Sequence, residues 1–238
     1  MVKTLIGIDS CRAGWLLATG DASLRSLRFA ITNDLGSVFA SLESADAQAA
    51  IDIPIGIPDN GARSVDYAAR SLLGSPRASS VFPVPCRPTL AATTYAEACA
   101  INRRASVDAK AVSQQLFAML PKMRAVDSLL SPAAQTRVRE CHPEVCFAVL
   151  SGRRRGLEHS KKTPEGEAER TLLLSRVLPP FQIGAIRATV GAGADRDDIV
   201  DALVCLVTAY RIASGTATTL PRGRVPTDSR GLRMEMLA

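Results

Sequence analysis

A series of short apolar segments in the N-terminal part of the chain constrains its fold most strongly. VKTLIGID, GWLLATGD and SLRFAITN are separated by turn-rich residues, a pattern typical of three antiparallel strands. LGSVFASLES then has apolar residues at helical spacing, and AQAAIDIPIGIPDN predicts a fourth strand. Because two strands joined through a helix usually run parallel, we expect the fourth strand to lie parallel to an earlier one. This part of the chain therefore predicts an α/β fold with a mixed sheet.

Downstream of these strands the pattern is mainly helical. Helices are expected over Ser64 to Leu73, TTYAEACAINRR, KAVSQQLFAMLPKMRAVDSLL, a segment from about Pro164, and Arg196 to Ala213. Ser64 is the expected N-cap of its helix, and Pro121 is expected to kink or divide the helix that contains it. TRVRECHPEVCFAVLSG predicts a fifth strand that turns into a short helix, and the apolar end of the chain predicts a short edge strand.

A proline-rich loop follows the first of these helices. SPRASSVFPVPCRPTLAAT contains four prolines, and structureless loops of this length in compact domains tend to be lids or binding loops. The sequence has no internal repeat and no clear linker. Residues 1–238 therefore predict a single domain, with a largely helical insertion at about 60–135.

Composition and charge exclude several classes of protein. The formal net charge of +6 suits a polyanionic partner such as nucleic acid, but only 4% of the residues are aromatic, too few for binding that relies mainly on stacking. No apolar run approaches the roughly 20 residues of a membrane span, and no signal-peptide pattern precedes the first strand. We therefore expect a cytoplasmic protein with no membrane contact. The six cysteines lack a CxxC pair and are expected to be buried thiols.

Two acidic residues stand at the ends of predicted strands. Asp9 ends the first strand, and Asp52 lies at the end of the fourth. If these strands are parallel neighbours, both carboxylates lie at the carboxyl edge of the sheet, where open α/β sheets usually bind ligands. Two carboxylates so close together raise each other's pKa unless a cation lies between them. The pair therefore predicts a site that favours a cation.

A third acidic element, GADRDDIVDALVCL, opens the last predicted helix. Asp195 is the expected N-cap, and Asp197 and Asp198 lie in the first turn, where the helix dipole favours anions. Asp201 lies three residues after Asp198 on the same face and borders the apolar stripe of the helix. A divalent cation would make this repulsive pair favourable, and hard oxygen ligands suit Mg²⁺ or Mn²⁺. Such ions assist the hydrolysis of phosphodiesters.

Several motifs, in the same order along nearly the whole chain, resemble those of one bacterial and archaeal family of unknown function: GIDSCRAGW, IDIPIGIPD, SSVFPVP, Pro121-Lys122, ECHPEVCF, SKKTPEGEAER and DDIVDAL. That family is described as predicted RNase H-like nucleases, distant relatives of the Holliday-junction resolvases. The resemblance implies an RNase H-like core, a mixed five-stranded sheet whose first three strands are antiparallel, flanked by helices.

The same resemblance implies roles for the acidic residues. Asp9 looks like the catalytic acid of the first strand and Asp52 like that of the fourth. Asp198 and Asp201 look like the acidic pair of the C-terminal helix, so that the four carboxylates together would bind Mg²⁺ or Mn²⁺. Resolvase-like enzymes have a Glu in the fourth strand, where this chain has Asp52.

Two residues of ECHPEVCF each have two open roles. Glu144 is either a further catalytic acid, which holds a metal or orients a water, or a first-turn residue of a helix that begins with Pro143. His142 either contacts the substrate and passes a proton to the leaving group, or is simply hydrogen-bonded in place.

Basic side chains are the candidate ligands of substrate phosphates. Arg12 follows the first strand closely enough either to pair with Asp9 or to hold a phosphate. The other candidates lie in the proline-rich loop and around the start of a later helix, and they are Arg87, Lys161, Lys162 and Arg170.

The resulting hypothesis is a nuclease or phosphodiesterase with an acidic site of the two-metal type, which acts on nucleic acid or on a nucleotide-like phosphate. Two alternatives stay open: a nucleotide-binding protein similar to the actin-like and sugar-kinase relatives, and a non-catalytic nucleic-acid-binding or interaction module. The glycine-rich phosphate loops of those relatives are poorly represented here, because GIDSCRAG has only Gly7 and Gly14. A homodimer, which is common among resolvase-type proteins, is open as well.

Overall fold

A five-stranded mixed sheet lies at the centre of the computed structural model, which describes residues 2–44, 46–153 and 155–238, with the backbone alone at 43 and 44. Its strands are β1 (Thr4–Cys11), β2 (Gly14–Asp21), β3 (Leu27–Thr32), β4 (Ala47–Ile51) and β5 (Val138–Glu140), in the order β3-β2-β1-β4-β5. β2 pairs antiparallel with β1 and with β3, whereas β4 runs parallel to β1 and to β5. The prediction of an α/β chain with a mixed five-stranded sheet is confirmed.

Helices cover both faces of this sheet. They are α1 (Leu35–Ser44), α2 (Ser64–Leu73), α3 (Tyr95–Ala105), α4 (Gln114–Leu129), α5 (Pro143–Leu150), α6 (Pro164–Leu174), α7 (Ile183–Val190) and α8 (Arg196–Ala213). In one apolar core, one face of the sheet packs against α2, α5, α6, α7 and α8. In a second core, the other face packs against α1, α3 and α4. Strand β1 contributes side chains to both cores, because Leu5 belongs to the first core and Ile6 and Ile8 belong to the second.

The structure corrects two local predictions about helices. Arg63, not Ser64, occupies the N-cap position of α2, and no side chain caps this end of the helix. Pro121 does not divide α4, which continues on both sides of it. Leu120 and Met123 are fully buried next to Pro121. This packing outweighs the backbone hydrogen bond that a proline cannot donate.

The C-terminal part also differs in detail from the predictions. α7 was not predicted, and the apolar end of the chain forms β7 (Met236–Leu237), which pairs with β6 (Thr219–Leu220) in a separate two-stranded sheet. The six cysteines are buried free thiols, as predicted. Within the described ranges, every helix is too short or too polar to cross a membrane.

α8 lies directly against β1, and the contact is closest at Gly7. A Cβ atom at this position would overlap the carbonyl oxygen of Ala202 and the backbone nitrogen of Leu206. The helix backbone reaches the strand only because Gly7 has no side chain. α8 is consequently buried from Ile199 to Ala209, and it carries Asp201 to the level of β1.

We predict that Gly7→Ala lowers the free energy of unfolding by at least about 2 kcal/mol, because α8 has to move away from β1 to make room for the methyl group. Gly184→Ala is the matched control, since Gly184 lies in α7 with no atom near its missing side chain. This control is expected to raise stability by about 0.5 kcal/mol through helix propensity. Urea unfolding measures both variants, and an equal effect of the two substitutions would contradict the close contact.

Candidate acidic site

Asp9, Asp52 and Asp201, which we call the acidic cluster, lie close together although three separate elements carry them. Asp9 lies within β1. Asp52 directly follows β4, and its backbone nitrogen donates a hydrogen bond of 2.9 Å to the carbonyl oxygen of Ile8. Asp201 comes from α8, and it is buried, as is Asp9. The structure therefore brings together acids that the sequence analysis assigned to one site.

Burial raises the pKa of all three carboxyl groups, and the charges of neighbouring carboxylates add to the rise. Burial is the main cause of the raised pKa of Asp9, and the negative charges of Asp52 and Asp201 add to it. Burial raises the pKa of Asp52 to about 6, although the nearby His142 opposes the rise. The pKa of Asp201 is raised as well, because burial outweighs the effect of Lys161. The cluster therefore binds protons at acid pH and favours a cation when its carboxyls ionise.

Lys161 provides a positive charge at this cluster. Its Nζ lies 2.5 Å from Asp201 Oδ2 and 3.7 Å from Asp197 Oδ2. Burial lowers the pKa of Lys161, but the neighbouring carboxylates, Asp201 first, outweigh that effect and raise the pKa overall. The ammonium group therefore stays charged. One ammonium faces the three carboxyls of the cluster, which leaves an excess of negative charge once they are ionised.

The loop that carries Lys161 is fixed against α6. A Cβ atom on Gly166 would overlap the carbonyl oxygen of Ser160, so the loop passes directly over the first turn of the helix. Arg170 Nη1 donates a hydrogen bond of 3.1 Å to the carbonyl oxygen of His159. These contacts hold the backbone directly before Lys161 in place.

Arg170 is buried and positions Glu144, which corrects its predicted role as a phosphate ligand. Its Nη2 donates to Glu144 Oε1 at 2.6 Å, and its guanidinium lies over the ring of Phe147. Only 1% of Arg170 is exposed, so a phosphate on the surface cannot reach it. Glu144 lies in the first turn of α5 after Pro143, and its Oε2 has no hydrogen-bond partner among the described residues.

His142 and Asp198 each take part in the start of a helix. His142 is the N-cap residue of α5, and its Nε2 lies 3.3 Å from the carbonyl oxygen of Ser80. Asp198 accepts a hydrogen bond of 2.8 Å from the backbone nitrogen of Asp195, in a capping box at the start of α8. The predicted N-cap role of Asp195 is thus confirmed. Burial raises the pKa of Asp198, and its charge acts on Asp9.

Arg12 and Lys162 lie at the N-terminal end of α8, beside the acidic cluster. Arg12 is 3.5 Å from Asp195, and Lys162 Nζ is 2.5 Å from Asp197 Oδ2. Both basic side chains are largely exposed, so they remain accessible to an anionic ligand.

Arg87 does not belong to this site, which corrects its predicted role in substrate binding. Its Nη1 donates to Asp127 Oδ2 at 2.9 Å, and its Nη2 donates to Asp228 Oδ2 at 2.5 Å. Asp127 lies in α4 and Asp228 in the C-terminal segment. Arg87 therefore ties the proline-rich loop to those two parts of the chain.

A cavity of about 280 Å³ adjoins the acidic cluster. Its polar lining on this side consists of residues described above, namely Asp52, His142, Glu144, Lys161 and Asp201. The cavity thus gives a ligand access to the acidic cluster and to His142 and Glu144 at the start of α5.

A buried ion group that was not predicted from the sequence lines the same cavity. Arg63 donates to Asp66 at 2.6 Å and to Glu140 at 2.7 Å, and all three side chains are nearly inaccessible to solvent. Glu140 Oε2 also accepts a hydrogen bond of 2.6 Å from the backbone nitrogen of Ile55. These bonds hold the segment after Asp52 against β5 and α2. A charged residue in the buried strand β5 was the available signal.

The donor atoms at the site are of the kind that suits a hard divalent cation. Asp201 Oδ1 and Glu144 Oε2 are buried carboxylate oxygens with no partner in the described part of the chain, and such oxygens are costly unless something binds them. No set of three or more His, Cys, Asp or Glu side chains in the described ranges is arranged to hold a metal ion. The described residues therefore offer donor atoms that suit a cation but no preformed set of ligands, and Lys161 holds the position next to Asp201.

Comparison with known proteins gives one match. A family model with the description "Protein of unknown function (DUF429)" matches residues 7–225 of the chain, a range that contains every residue of the acidic cluster. Neither the curated proteins nor the solved structures include a significant match.

We predict that Lys161→Met lowers the free energy of unfolding by about 2 kcal/mol at neutral pH, because Asp201 is then buried without its cation. The loss is smaller than for a fully buried pair, since 36% of the Lys161 side chain is exposed. Lys162→Met is the matched control, because 70% of the Lys162 side chain is exposed in its pair with Asp197. Its effect is expected to stay within about 0.5 kcal/mol.

The loss in free energy of unfolding that Lys161→Met causes also depends on pH. The pKa of Asp201, already raised by burial, rises further without Lys161, so that the folded variant binds a proton more tightly than the unfolded chain does. The stability deficit therefore grows as the pH rises from acid, where Asp201 is protonated, towards neutral. Urea unfolding at a series of pH values measures it, and a deficit independent of pH would contradict the pairing.

Proposed function

The chain belongs to the DUF429 family of proteins of unknown function, and we propose that it hydrolyses phosphodiester bonds of nucleic acid or nucleotide-like substrates with the help of Mg²⁺ or Mn²⁺. The observation that carries this proposal is the acidic cluster itself. Asp9, Asp52 and Asp201 come from β1, the end of β4 and α8, and they converge with the single ammonium of Lys161 beside a cavity. Buried carboxylates in excess over cations are costly unless they serve a ligand.

The order and direction of the strands support the same proposal. β1 to β3 form an antiparallel meander, β4 and β5 run parallel to β1, and the last long helix packs on β1. We propose that this sheet is an RNase H-like core. In that arrangement the acids of the first strand, the fourth strand and the last helix would form one catalytic site.

Four carboxylates would hold the metal, those of the acidic cluster and that of Asp198. When bound, the ion supplies a water of lowered pKa and neutralises charge on the phosphate. Asp198 would bind the metal through Oδ1, because its Oδ2 accepts the capping hydrogen bond from the backbone nitrogen of Asp195. Lys161 has to move away from Asp201, and its ammonium is then available to a phosphate oxygen.

In this proposal Glu144 and His142 would handle protons and water at the cavity. Arg170 holds Glu144 Oε1, so that Oε2 is free to accept a hydrogen bond from a water. His142 Nδ1 likewise has no hydrogen-bond partner in the described ranges, and we propose that His142 donates a proton to the leaving oxygen. Arg12 and Lys162, at the exposed rim, would contact phosphates of the substrate.

A second candidate function rests on the ion pair of Lys161. Its Nζ lies 2.5 Å from Asp201, a distance at which the chain neutralises part of its own acidic cluster. That pairing favours a module that binds a nucleotide or nucleic acid without cleaving it. The two candidates differ in one measurable property, because only the first requires a metal ion to replace Lys161 at Asp201.

We predict that Mn²⁺ binds to the protein in isothermal titration calorimetry, and that Asp9→Asn and Asp201→Asn weaken this binding by at least about tenfold, because each removes a ligand charge. Hydrolysis of a single-stranded oligonucleotide should fall in parallel. Affinity should also fall below pH 6, since Asp52 has a pKa of about 6 and a protonated carboxyl is a poor ligand.

Asp46→Asn is the matched control for these variants. Asp46 precedes β4, at the opposite end of that strand from Asp52, and its exposed side chain pairs only loosely with Lys3. Mn²⁺ affinity equal in Asp9→Asn, Asp201→Asn and Asp46→Asn would contradict the proposed metal site. Nucleic-acid binding without any Mn²⁺ binding would favour the second candidate.

A further inference from the structure

The cavity beside the acidic cluster is also lined by apolar side chains. Its volume is about 280 Å³, near the lower end for small-molecule sites. The apolar wall is formed by Ile53, Val81, Phe82, Leu116, Met119 and Met236. Most of these residues belong to the segment between β4 and β5, so this insertion encloses the space next to the acids. The lining of the cavity therefore combines hydrophobic and charged side chains.

Phe82 gives this wall an aromatic ring. It lies in the proline-rich loop after α2, it is only partly buried, and it lines both this cavity and a neighbouring one that extends along α2. Core phenylalanines such as Phe147 are fully buried, whereas the ring of Phe82 remains accessible from the cavity. An accessible aromatic ring in an apolar wall suits a flat, π-rich ligand group.

The cavity also offers hydrogen-bond acceptors. Glu144 Oε2 and Asp201 Oδ1 are buried, and no described residue donates to either oxygen. Both residues line the cavity, as does Lys161. A ligand with hydroxyl or amino donors would satisfy these oxygens, and an anionic group on the same ligand would lie near Lys161.

We propose that the substrate of this site is an unpaired nucleotide, whose base enters the cavity against Phe82 while its phosphodiester lies at the acidic cluster. This inference rests on the proposed function and names the substrate class for it. A sugar hydroxyl donates to the free oxygen of Asp201, while the free oxygen of Glu144 stays available to the water. In the reaction, the oxygen of a water forms a bond to phosphorus, the ester P–O bond breaks, and a proton ends on the leaving alcohol oxygen.

A base paired in a duplex does not fit this arrangement. Its two faces are stacked on neighbouring bases, so it offers no flat surface to Phe82 unless it is extruded at a cost of a few kcal/mol. A single-stranded end or a free dinucleotide has an exposed base and avoids that cost. The walls of the cavity therefore select for unpaired nucleotides by geometry and by apolar burial.

Calorimetric titrations without metal test this inference separately from hydrolysis. The probes are a thymidine dinucleotide, a short single-stranded oligonucleotide and a blunt-ended duplex of the same sequence. We expect both unpaired probes to bind at least about tenfold more tightly than the duplex, and Phe82→Ala to remove about tenfold of that affinity, as loss of one stacked base does. Tighter binding of the dinucleotide would indicate that the site takes a free nucleotide, and tighter binding of the oligonucleotide would indicate that it takes the end of a strand.

Two further variants separate a local effect from unfolding. Phe82→Tyr keeps the ring and should keep the affinity, and Phe29→Ala removes a partly buried ring from β3, outside the cavity, and should not change nucleotide affinity. Equal affinity for duplex and single strand, or no effect of Phe82→Ala, would overturn the inference even if Mn²⁺ binds and hydrolysis occurs. Binding of the dinucleotide that depends on Phe82, without Mn²⁺ binding or hydrolysis, would support the inference and refute the proposed hydrolysis.

Discussion

The backbone contact between α8 and β1 is the constraint on which the rest of the structure depends. Because Gly7 has no side chain, the helix lies directly on the strand, and α8 is buried from Ile199 to Ala209. A residue in that stretch is removed from water whatever its chemistry. Asp201 is such a residue, and the contact places it beside Asp9, which is buried in β1. The raised pKa values of the cluster follow from this packing and need no special property of the side chains.

Two buried ion groups in the protein show how differently such charges can be balanced. Arg63 donates to both Asp66 and Glu140, and further backbone donors complete the bonding of the two acids, so that this group is closed and serves the fold. In the acidic cluster, by contrast, the hydrogen bonding of the carboxylates is incomplete. Lys161 reaches one oxygen of Asp201, while the other oxygen of Asp201 is buried without a partner in the described chain. The closed group stabilises the segment after β4, and the acidic cluster is left with unbalanced charge beside a cavity.

The sequence predicted the elements and the acids better than it predicted the partners of those acids. Strands and helices follow from local periodicity, and Asp9, Asp52 and Asp201 were identifiable because each is a charge at the end of a strand or beside an apolar stripe. Arg170 and Arg87 were expected at the substrate, but both are held by acids distant in sequence, a pairing that no local pattern encodes. Pro121 was expected to kink or divide a helix, and it does not divide it, because the neighbouring residues pack against distant parts of the chain. The cavity lined by Phe82 likewise exists only once distant segments have packed.

The most direct test of the account is a crystal soaked in MnCl₂ and measured for anomalous scattering. We expect an anomalous peak between the carboxylates of Asp9, Asp52 and Asp201, with Lys161 Nζ displaced from its 2.5 Å contact with Asp201. An intact Lys161–Asp201 pair at saturating Mn²⁺, with no peak among these carboxylates, would contradict the account. In that case the cluster would be neutralised by the chain itself.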